Sequence, residues 1–282
     1  MVCGDPEVLA DFYQAAFGFR RSGRDLTPAM SDVELRLGSQ VIRLIRAEPG
    51  GRRYPPGIAG WSPLFQHIAI VVADMARAYT QLSALPGWKP ISTSGPQGLP
   101  AASGGVSAFK FRDPEGHPLE LIAFPPHAVP PQWRTTSQEV CLGIDHSAIS
   151  VSSTATSIVF YESLGLDRSG GSLNVGREQA MLDDVPDAVV EVTALTPAQP
   201  TPHIELLCYR GDFDRRVQAQ AANDATATRL VLTVENRATL EAICARASSA
   251  LLSGPELREN NLYRALLRDP DGHLIWLEHD RF

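Results

Sequence analysis

The chain has 282 residues, of which 44% are hydrophobic and 20% are charged, a composition typical of a soluble globular protein with a substantial core. Its net charge of −7 and scattered arginines argue against a nucleic-acid surface, since phosphate binding needs a clustered positive patch. No apolar run is long enough for a membrane span, and residues 1–13 lack a secretory signal pattern. The four cysteines form no CxxC pair, so we expect a cytoplasmic protein whose partner is a small-molecule substrate, not nucleic acid or membrane.

Unit 1, residues 1–48, begins with a helix almost at once. Asp5 precedes Pro6, the arrangement of an N-cap followed by proline in the first helical turn. The helix continues through Asp11–Arg20 (DFYQAAFGFR). Only Val2 and Cys3 stand where a first strand is expected, so this strand is predicted to be largely missing. We interpret this as a strand absent from the chain or a start codon assigned too late, rather than as a functional feature.

Unit 2, residues 63–125, has a complete pattern of strand, helix and three strands. The first strand contains Gln66–Val72 (QHIAIVV), and Asp74 is the predicted N-cap of the helix. The last strand follows the turn Asp113–His117 (DPEGH), in which proline and glycine suit a tight reversal. Residues 125–141 are rich in proline and then polar, which predicts a linker.

The second half of the chain repeats the first. The helix end returns as Val159–Arg168 (VFYESLGLDR) at an offset of 148, and the turn returns as Asp269–His273 (DPDGH) at an offset of 156. Such self-similarity indicates duplicated structural units. We therefore predict an α+β fold of four tandem βαβββ units. One pair of units occupies residues 1–124, and a second pair in residues 142–282 consists of unit 3 (142–210) and unit 4 (227–280).

These motifs resemble those of the vicinal oxygen chelate superfamily, which includes glyoxalase I, extradiol dioxygenases, methylmalonyl-CoA epimerase and the fosfomycin and bleomycin resistance proteins. The resemblance covers nearly the whole chain and rests on the two helix ends, the strands QHIAIVV and DHSAISV, and the two DPxGH turns. It implies that paired units form half-open sheet cups, with metal ligands on the first and last strands of a unit. It does not specify a reaction, because one fold hosts several chemistries.

Strand alternation identifies the residues that would face such a cup. His67 and His146 each share a face with small residues, whereas the opposite face of each strand is aliphatic. Glu120 and Glu205 lie between aliphatic residues in last strands, where a carboxylate needs a compensating partner. Each residue alone could be an ordinary core or rim residue. Together they predict one divalent metal ion, Zn, Ni, Co, Mn or Fe(II), with His67, Glu120, His146 and Glu205 as ligands.

Units 1 and 4 carry different residues at these positions. Arg43 and Trp276 stand at the glutamate positions and Arg229 stands at a histidine position, and arginine does not lose its proton to bind a metal. Pairing unit 2 with unit 3, and unit 1 with unit 4, would collect all four ligands in one cup. The other cup would be filled by Arg43, Arg229 and Trp276. Exchange between two chains could build the same site, so a monomer and a homodimer are both compatible with the pattern.

The leading interpretation is a glyoxalase-I-like lyase or isomerase acting on a small carbonyl or hydroxy-carbonyl substrate. The metal would polarise the carbonyl and stabilise an enediolate, and either Glu120 or Glu205 would move the proton as general base. One alternative is an extradiol-type ring-cleaving dioxygenase using Fe(II) or Mn(II), which needs two histidines and one carboxylate. Another is a non-catalytic protein of the bleomycin resistance type, which sequesters a small molecule.

Three further residues are candidates for substrate binding. Arg177 and Gln179 lie in Ser172–Asp184, which is predicted to supply second- and third-strand residues near the cup; the alternative is a solvated hairpin. Tyr209 shares the face of Glu205, where it could line the cup or serve packing. The loop Ser92–Gly105 is rich in glycine, serine and proline and is predicted to be a mobile lid.

Overall fold

The chain folds as a mixed α+β protein of repeated units, as the sequence predicts. The computed structural model describes residues 1–22, 32–47, 49–216, 220–257 and 262–280. Within these ranges there are five α-helices and three sheets. None of the helices described is both long enough and apolar enough to cross a membrane.

Unit 1 consists of one helix and a four-stranded sheet. The carboxylate of Asp5 accepts hydrogen bonds from first-turn N–H groups, and Gly18 ends the helix in the left-handed conformation. The first strand has only two residues and pairs in parallel with the last strand, Val2 opposite Ile45, so it is largely missing as predicted. The elements are β1 (Val2–Cys3), α1 (Pro6–Phe17), β2 (Arg20–Arg21), β3 (Val33–Leu37) and β4 (Gln40–Arg46).

Units 2 and 3 form the middle of the chain. Unit 2 contains β5 (Gln66–Val72), α2 (Met75–Ser83), β6 (Lys89–Pro90), β7 (Gln97–Gly98), β8 (Ser107–Arg112) and β9 (Pro118–Ala123). Unit 3 contains β10 (Cys141–Ser150), α3 (Thr154–Ser163), β11 (Asp167–Val175), α4 (Arg177–Asp183), β12 (Val189–Thr196) and β13 (His203–Tyr209).

A single sheet joins units 2 and 3, which is the pairing that the distribution of ligand-type residues predicts. Its order is β11-β12-β13-β10-β5-β9-β8-β6, and β7 pairs with β8. The two first strands, β5 and β10, run antiparallel at the centre, with Ala69 opposite His146 and Ala148 opposite His67. Each first strand also pairs in parallel with the last strand of its own unit. The inward face of this sheet is the cup.

The segment Ser172–Asp184 differs from its prediction as strand. Strand β11 ends at Val175, and the chain then forms the helix α4 before β12 begins. Gly176 precedes the helix with φ 99° and ψ −178°, a conformation open essentially to glycine alone. The glycine therefore lets the chain leave the strand and turn over the cup. The helix that follows is short and polar, so its sequence periodicity did not predict it.

Unit 4 forms a separate four-stranded sheet in the order β14-β17-β16-β15, and no described strand joins it to the sheet of unit 1. Units 1 and 4 meet instead through side chains. Arg43 Nη1 of unit 1 lies 2.8 Å from Glu278 Oε2 of unit 4. Within unit 4, the guanidinium groups of Arg229 and Arg264 lie 4.8 and 3.9 Å from the ring centroid of Trp276. The elements are β14 (Arg229–Thr233), α5 (Arg237–Arg246), β15 (Leu251–Leu257), β16 (Leu262–Arg268) and β17 (Leu274–Asp280).

Two hydrophobic cores lie on the outer faces of the sheets. One core packs α1 and α2 between the sheets of units 1 and 2, and it includes Ile70 and Val72 of β5. The other packs units 3 and 4 together and includes Ile149 and Val151. Because side chains alternate along a strand, the aliphatic residues of β5 and β10 face these cores while their histidines face the cup.

The two DPxGH turns are structural and connect consecutive units. In the second turn, Asp269 accepts hydrogen bonds from the backbone of Asp271 and His273 and from the hydroxyl of Tyr161, while His273 Nε2 lies 2.9 Å from the carbonyl oxygen of Ser150. The first turn repeats this network, with the equivalent contacts made by Asp113, Glu115, His117, Tyr13 and Val2. The Phe-Tyr motif and the turn recur together because the tyrosine binds the aspartate.

We expect Asp269→Ala to lower the free energy of unfolding by roughly 3 kcal/mol, because it leaves two backbone N–H groups and the Tyr161 hydroxyl without their buried acceptor. Urea unfolding followed by circular dichroism measures the change. Asp212 is exposed, so Asp212→Ala is the control and should change the free energy by about 0.5 kcal/mol or less. Equal effects of the two substitutions would contradict the structural role of the turn.

Candidate metal centre

The four predicted ligands lie together at the centre of the shared sheet. Strand register brings them there, because each glutamate neighbours an alanine of the first strand in its own unit. That alanine is in turn opposite the histidine of the other unit. The two halves are therefore related by an approximate two-fold axis: Ala69 lies between Glu120 and His146, and Ala148 lies between Glu205 and His67.

Three of these residues form a tight group. His67 Nε2 lies 2.8 Å and His146 Nε2 lies 3.9 Å from Glu120 Oε2, and the three ligand atoms are all within 4.8 Å of one another. Glu205 Oε2 lies 3.5 Å from His146 Nε2 but is not part of this group. Exposure of His67, His146 and Glu120 is 2%, 3% and 6%, so the group is sealed from solvent.

The histidine nitrogens in this group fit a bound cation. Both ring nitrogens of His67 and Nε2 of His146 are buried and make no hydrogen bond with any described group. His67 Nε2 is close to Glu120, but the carboxylate lies off the N–H axis, so we treat the contact as electrostatic and not as a hydrogen bond. Unsatisfied buried nitrogens are costly unless their lone pairs have another partner. Two imidazoles and carboxylates converging in this way suit a divalent transition-metal ion.

The balance of charge in the cup also favours a cation. With both histidines neutral, as metal binding requires, the group and its surroundings contain four carboxylates against one ammonium, that of Lys110. Buried charge without compensation is unfavourable, so a divalent ion would stabilise this arrangement. The four carboxylates are those of Glu120, Asp145, Asp183 and Glu205, the last with 23% of its side chain exposed.

Asp145 orients the imidazole ring of His146 through the Nδ1 atom. A register irregularity between Ile144 and His146 in β10 marks a β-bulge, and it allows adjacent residues to interact: Asp145 Oδ2 lies 3.1 Å from His146 Nδ1. Trp133 Nε1 donates to the other carboxylate oxygen at 2.7 Å. A hydrogen bond at Nδ1 leaves Nε2 as the atom presented to the cup, as metal-binding histidines require.

The charges of the cup shift the pKa values of its members. Burial opposes the charged form of His146, but Glu205 and Asp145 outweigh it and raise the pKa of His146 to about 9. Burial likewise opposes ionisation of Glu205, yet His146 and His203 lower its pKa to about 2. For His67 burial dominates, and its pKa falls below the ordinary value in spite of Glu120. Of the two imidazoles, His67 is therefore the one whose neutral, metal-binding form is favoured by its surroundings.

Besides Asp145, sequence reasoning missed His203 and Lys110. His203 Nε2 lies 3.5 Å from Glu205 Oε1, and His203 also joins Asp145 and His146 in a second group of possible metal ligands. Lys110 is the cross-strand partner of Glu120 and is 4% exposed. Both could have been found from strand alternation. His203 is two residues before Glu205 and so lies on the same face of its strand, and the turn after Lys110 places that residue opposite Glu120 on the next strand.

The substrate-binding candidates occupy different environments. Arg177 is exposed at the start of α4. Gln179 and Tyr209 are buried, and both donate hydrogen bonds to the carboxylate of Asp183. In the loop Ser92–Gly105, predicted as a lid, the backbone N–H of Thr93 donates to the carbonyl oxygen of Met181. The element that lies over the cup is therefore α4, with this loop as its support.

Comparison with known families agrees with this architecture. The sequence profile of the Glyoxalase/Bleomycin resistance protein/Dioxygenase superfamily matches residues 1–121 and 143–277. The chain belongs to this superfamily. The match confirms the resemblance that the repeated motifs indicate, and its two segments correspond to the two halves of the chain. Among curated proteins, none matches the chain in sequence.

Solved structures of similar fold cover almost the whole chain. Glyoxalase I from Zea mays is 20% identical, with a TM-score of 0.65, and the match covers 98% of this chain and 89% of the maize chain. Its V278E mutant gives 21% identity and a TM-score of 0.67, with the same coverage. A putative dioxygenase from Bacillus subtilis is 15% identical, with a TM-score of 0.57, and the match covers 100% of this chain and 83% of that one. At these identities the likeness is one of fold.

We expect the purified protein to contain about one equivalent of a divalent transition metal. His67→Ala and His146→Ala should each remove it, because each takes away one of the two imidazole ligands at the buried centre of the site. Inductively coupled plasma mass spectrometry after gel filtration measures the content. His127 is exposed in the linker, so His127→Ala should retain the metal. A full metal content in both cup variants would contradict this site.

Proposed function

We propose that the chain is a metal-dependent enzyme of the glyoxalase I type, a lyase or isomerase that moves a proton next to the carbonyl of a small substrate. The observation that carries this proposal is the convergence of His67, Glu120 and His146 on one buried point, with Glu205 beside His146 and with histidine nitrogens that have no hydrogen-bond partner among the described groups. The site is complete within one chain. The fold shared with maize glyoxalase I along the whole chain agrees with it.

His67, Glu120, His146 and Glu205 would hold the metal. When bound, a divalent ion supplies Lewis acidity to the carbonyl of the substrate. The protein must then provide a base that removes a proton from the neighbouring carbon and returns it. The sequence leaves Glu120 and Glu205 equivalent for this role, whereas their surroundings in the structure differ.

Glu120 is suited to be a fixed ligand. It is 6% exposed and lies between His67 and the cross-strand neighbour Lys110. Burial raises its pKa, but the charge of Lys110 and the contact with His67 outweigh this and leave the pKa below the ordinary value. A carboxylate that is almost fully buried and in close contact with His67 has little freedom to move toward a substrate.

Glu205 is suited to be the base. Its side chain is 23% exposed, and His203 lies 3.5 Å from the carboxylate oxygen that faces away from His146. Glu205 therefore has a second partner to which it can turn. Burial raises the pKa of Glu205, but the charge of His146 outweighs it and is the main cause of the low value of about 2. A histidine that binds a metal is neutral, so with a metal bound His146 no longer lowers the pKa of Glu205. We assign proton transfer to Glu205 on this asymmetry.

One observation favours a second candidate function. The tight group of His67, His146 and Glu120 is by itself a set of two histidines and one carboxylate, the ligand set of non-haem Fe(II) oxygenases. An extradiol-type dioxygenase would use these three and leave Glu205 as a neighbour. Oxygen uptake with catechols by the Fe(II)-loaded protein, without proton exchange on carbonyl compounds, would favour this function over the first.

We expect Glu205→Gln to lower catalysed proton exchange about 10²- to 10⁴-fold while the metal is retained, the range lost with a general base. Glu120→Gln should instead lose the metal. Deuterium incorporation next to the carbonyl, followed by NMR on a panel of small 2-oxo and hydroxy-carbonyl compounds, is the measurement. Glu162 is exposed on α3, so Glu162→Gln is the control. Full exchange activity in Glu205→Gln would rule out its role as the base.

A further inference from the structure

Helix α4 fills the mouth of the cup. Leu182 packs against Ala69, Val71 and Ala108 on the inward face of unit 2. Just beyond the helix, Val185 packs against residues of β10 and β13 on the inward face of unit 3. Since the metal-ligand group beneath is almost fully buried and α4 covers it, movement of α4 would open a route to it for a substrate.

The carboxylate of Asp183 is held by three side-chain donors under this helix. Lys110 Nζ lies 2.7 Å from Oδ1, and Gln179 Nε2 and Tyr209 Oη lie 2.6 and 2.8 Å from Oδ2. Asp183 itself is 2% exposed. Lys110 and Tyr209 belong to the cup, on β8 and β13, whereas Asp183 and Gln179 belong to α4. The cup thus contains a carboxylate-binding site that α4 fills with its own side chain.

The choice of lysine at position 110 is unusual for this chain. Of its 25 lysine and arginine residues only two are lysine, the exposed Lys89 and the buried Lys110. A buried ammonium group is costly without a partner, and it is a compact donor that fits a confined site where a guanidinium would not. Lys110 also lies directly opposite Glu120, which places its charge beside the metal-ligand group.

The ends of α4 permit it to lift. The helix has only seven residues, too few to be stable without its contacts, and it lies between Gly176 (φ 99°) and Asp184 (φ 52°). Its C-terminal carbonyl groups are held by exchangeable hydrogen bonds from unit 2: Ser92 Oγ donates to Leu182 O at 2.9 Å and Thr93 N donates to Met181 O at 2.8 Å. Lifting removes Asp183 and leaves the ammonium of Lys110 without that partner.

We propose that Lys110 and Tyr209 form the subsite for a carboxylate group of the substrate, which replaces Asp183 when α4 lifts. The substrate class is therefore a small carbonyl compound that carries a carboxylate, such as a 2-oxo or 2-hydroxy acid. A neutral analogue leaves the buried ammonium uncompensated and binds much more weakly, because a site built for a polar group rejects the analogue that lacks it. This inference rests on the proposed function in taking the cup as the place where substrate binds.

The test compares pyruvate with hydroxyacetone, its neutral analogue of similar size, by ligand-observed NMR on the full-length protein with its metal as purified. Asp183→Ala removes the internal competitor and should bind pyruvate at least about tenfold more tightly than the wild type. Adding Lys110→Met to Asp183→Ala should reverse this gain, while hydroxyacetone affinity changes little. Lys89→Met is the matched control. Unchanged pyruvate affinity or no binding in Asp183→Ala, or a retained gain in the double variant, overturns the subsite.

Hydrogen–deuterium exchange of the wild-type protein provides a second measurement, which needs no variant and therefore does not depend on whether a variant folds. Pyruvate should speed exchange of the amides of residues 177–183, and hydroxyacetone should not. Pyruvate that binds while these amides stay protected overturns the displacement of α4. Neither measurement requires turnover, so the two proposals can fail separately. If pyruvate binds in a way that depends on Lys110 but no proton exchange occurs, the proposed reaction is contradicted and the subsite is supported.

Discussion

The antiparallel pairing of β5 with β10 is the contact on which the candidate site depends. It joins units 2 and 3 into one sheet and sets the register that brings the histidine of each unit next to the glutamate of the other. A slip of one residue would turn His67 and His146 toward the hydrophobic cores, since side chains alternate across a strand. The chemistry of the cup is therefore a consequence of one strand pairing between the two halves of the chain.

Units 1 and 4 carry a different set of side chains at the positions that form the candidate site in units 2 and 3. Where units 2 and 3 present imidazole and carboxylate, these units present guanidinium groups, which pair with carboxylates and stack on an aromatic ring. Glu278 receives both Arg43 and Arg264, and Trp276 lies between Arg229 and Arg264. The cation–π contacts lie within unit 4, and the ion pair between Arg43 and Glu278 connects it to unit 1.

Much of the fold, and the position of four candidate-site residues on one face of the sheet, could be predicted because repeats and strand parity are local properties of the sequence. Parity placed Glu120 and Glu205 correctly on the inward face. It failed at Asp145, because a bulge in β10 shifts that residue toward His146, and a bulge has no sequence signature here. It also failed for α4, whose helical form depends on packing in the cup and not on its own periodicity.

The central position of β5 has a consequence for biosynthesis. When the first half of the chain has left the ribosome, β5 has β9 on one side and an open edge on the other, because β10 lies beyond the linker. That edge belongs to the segment QHIAIVV, apolar and rich in β-branched residues, which is prone to pair with other chains. The nascent protein is thus most vulnerable to aggregation until Cys141–Ser150 is made and covers it.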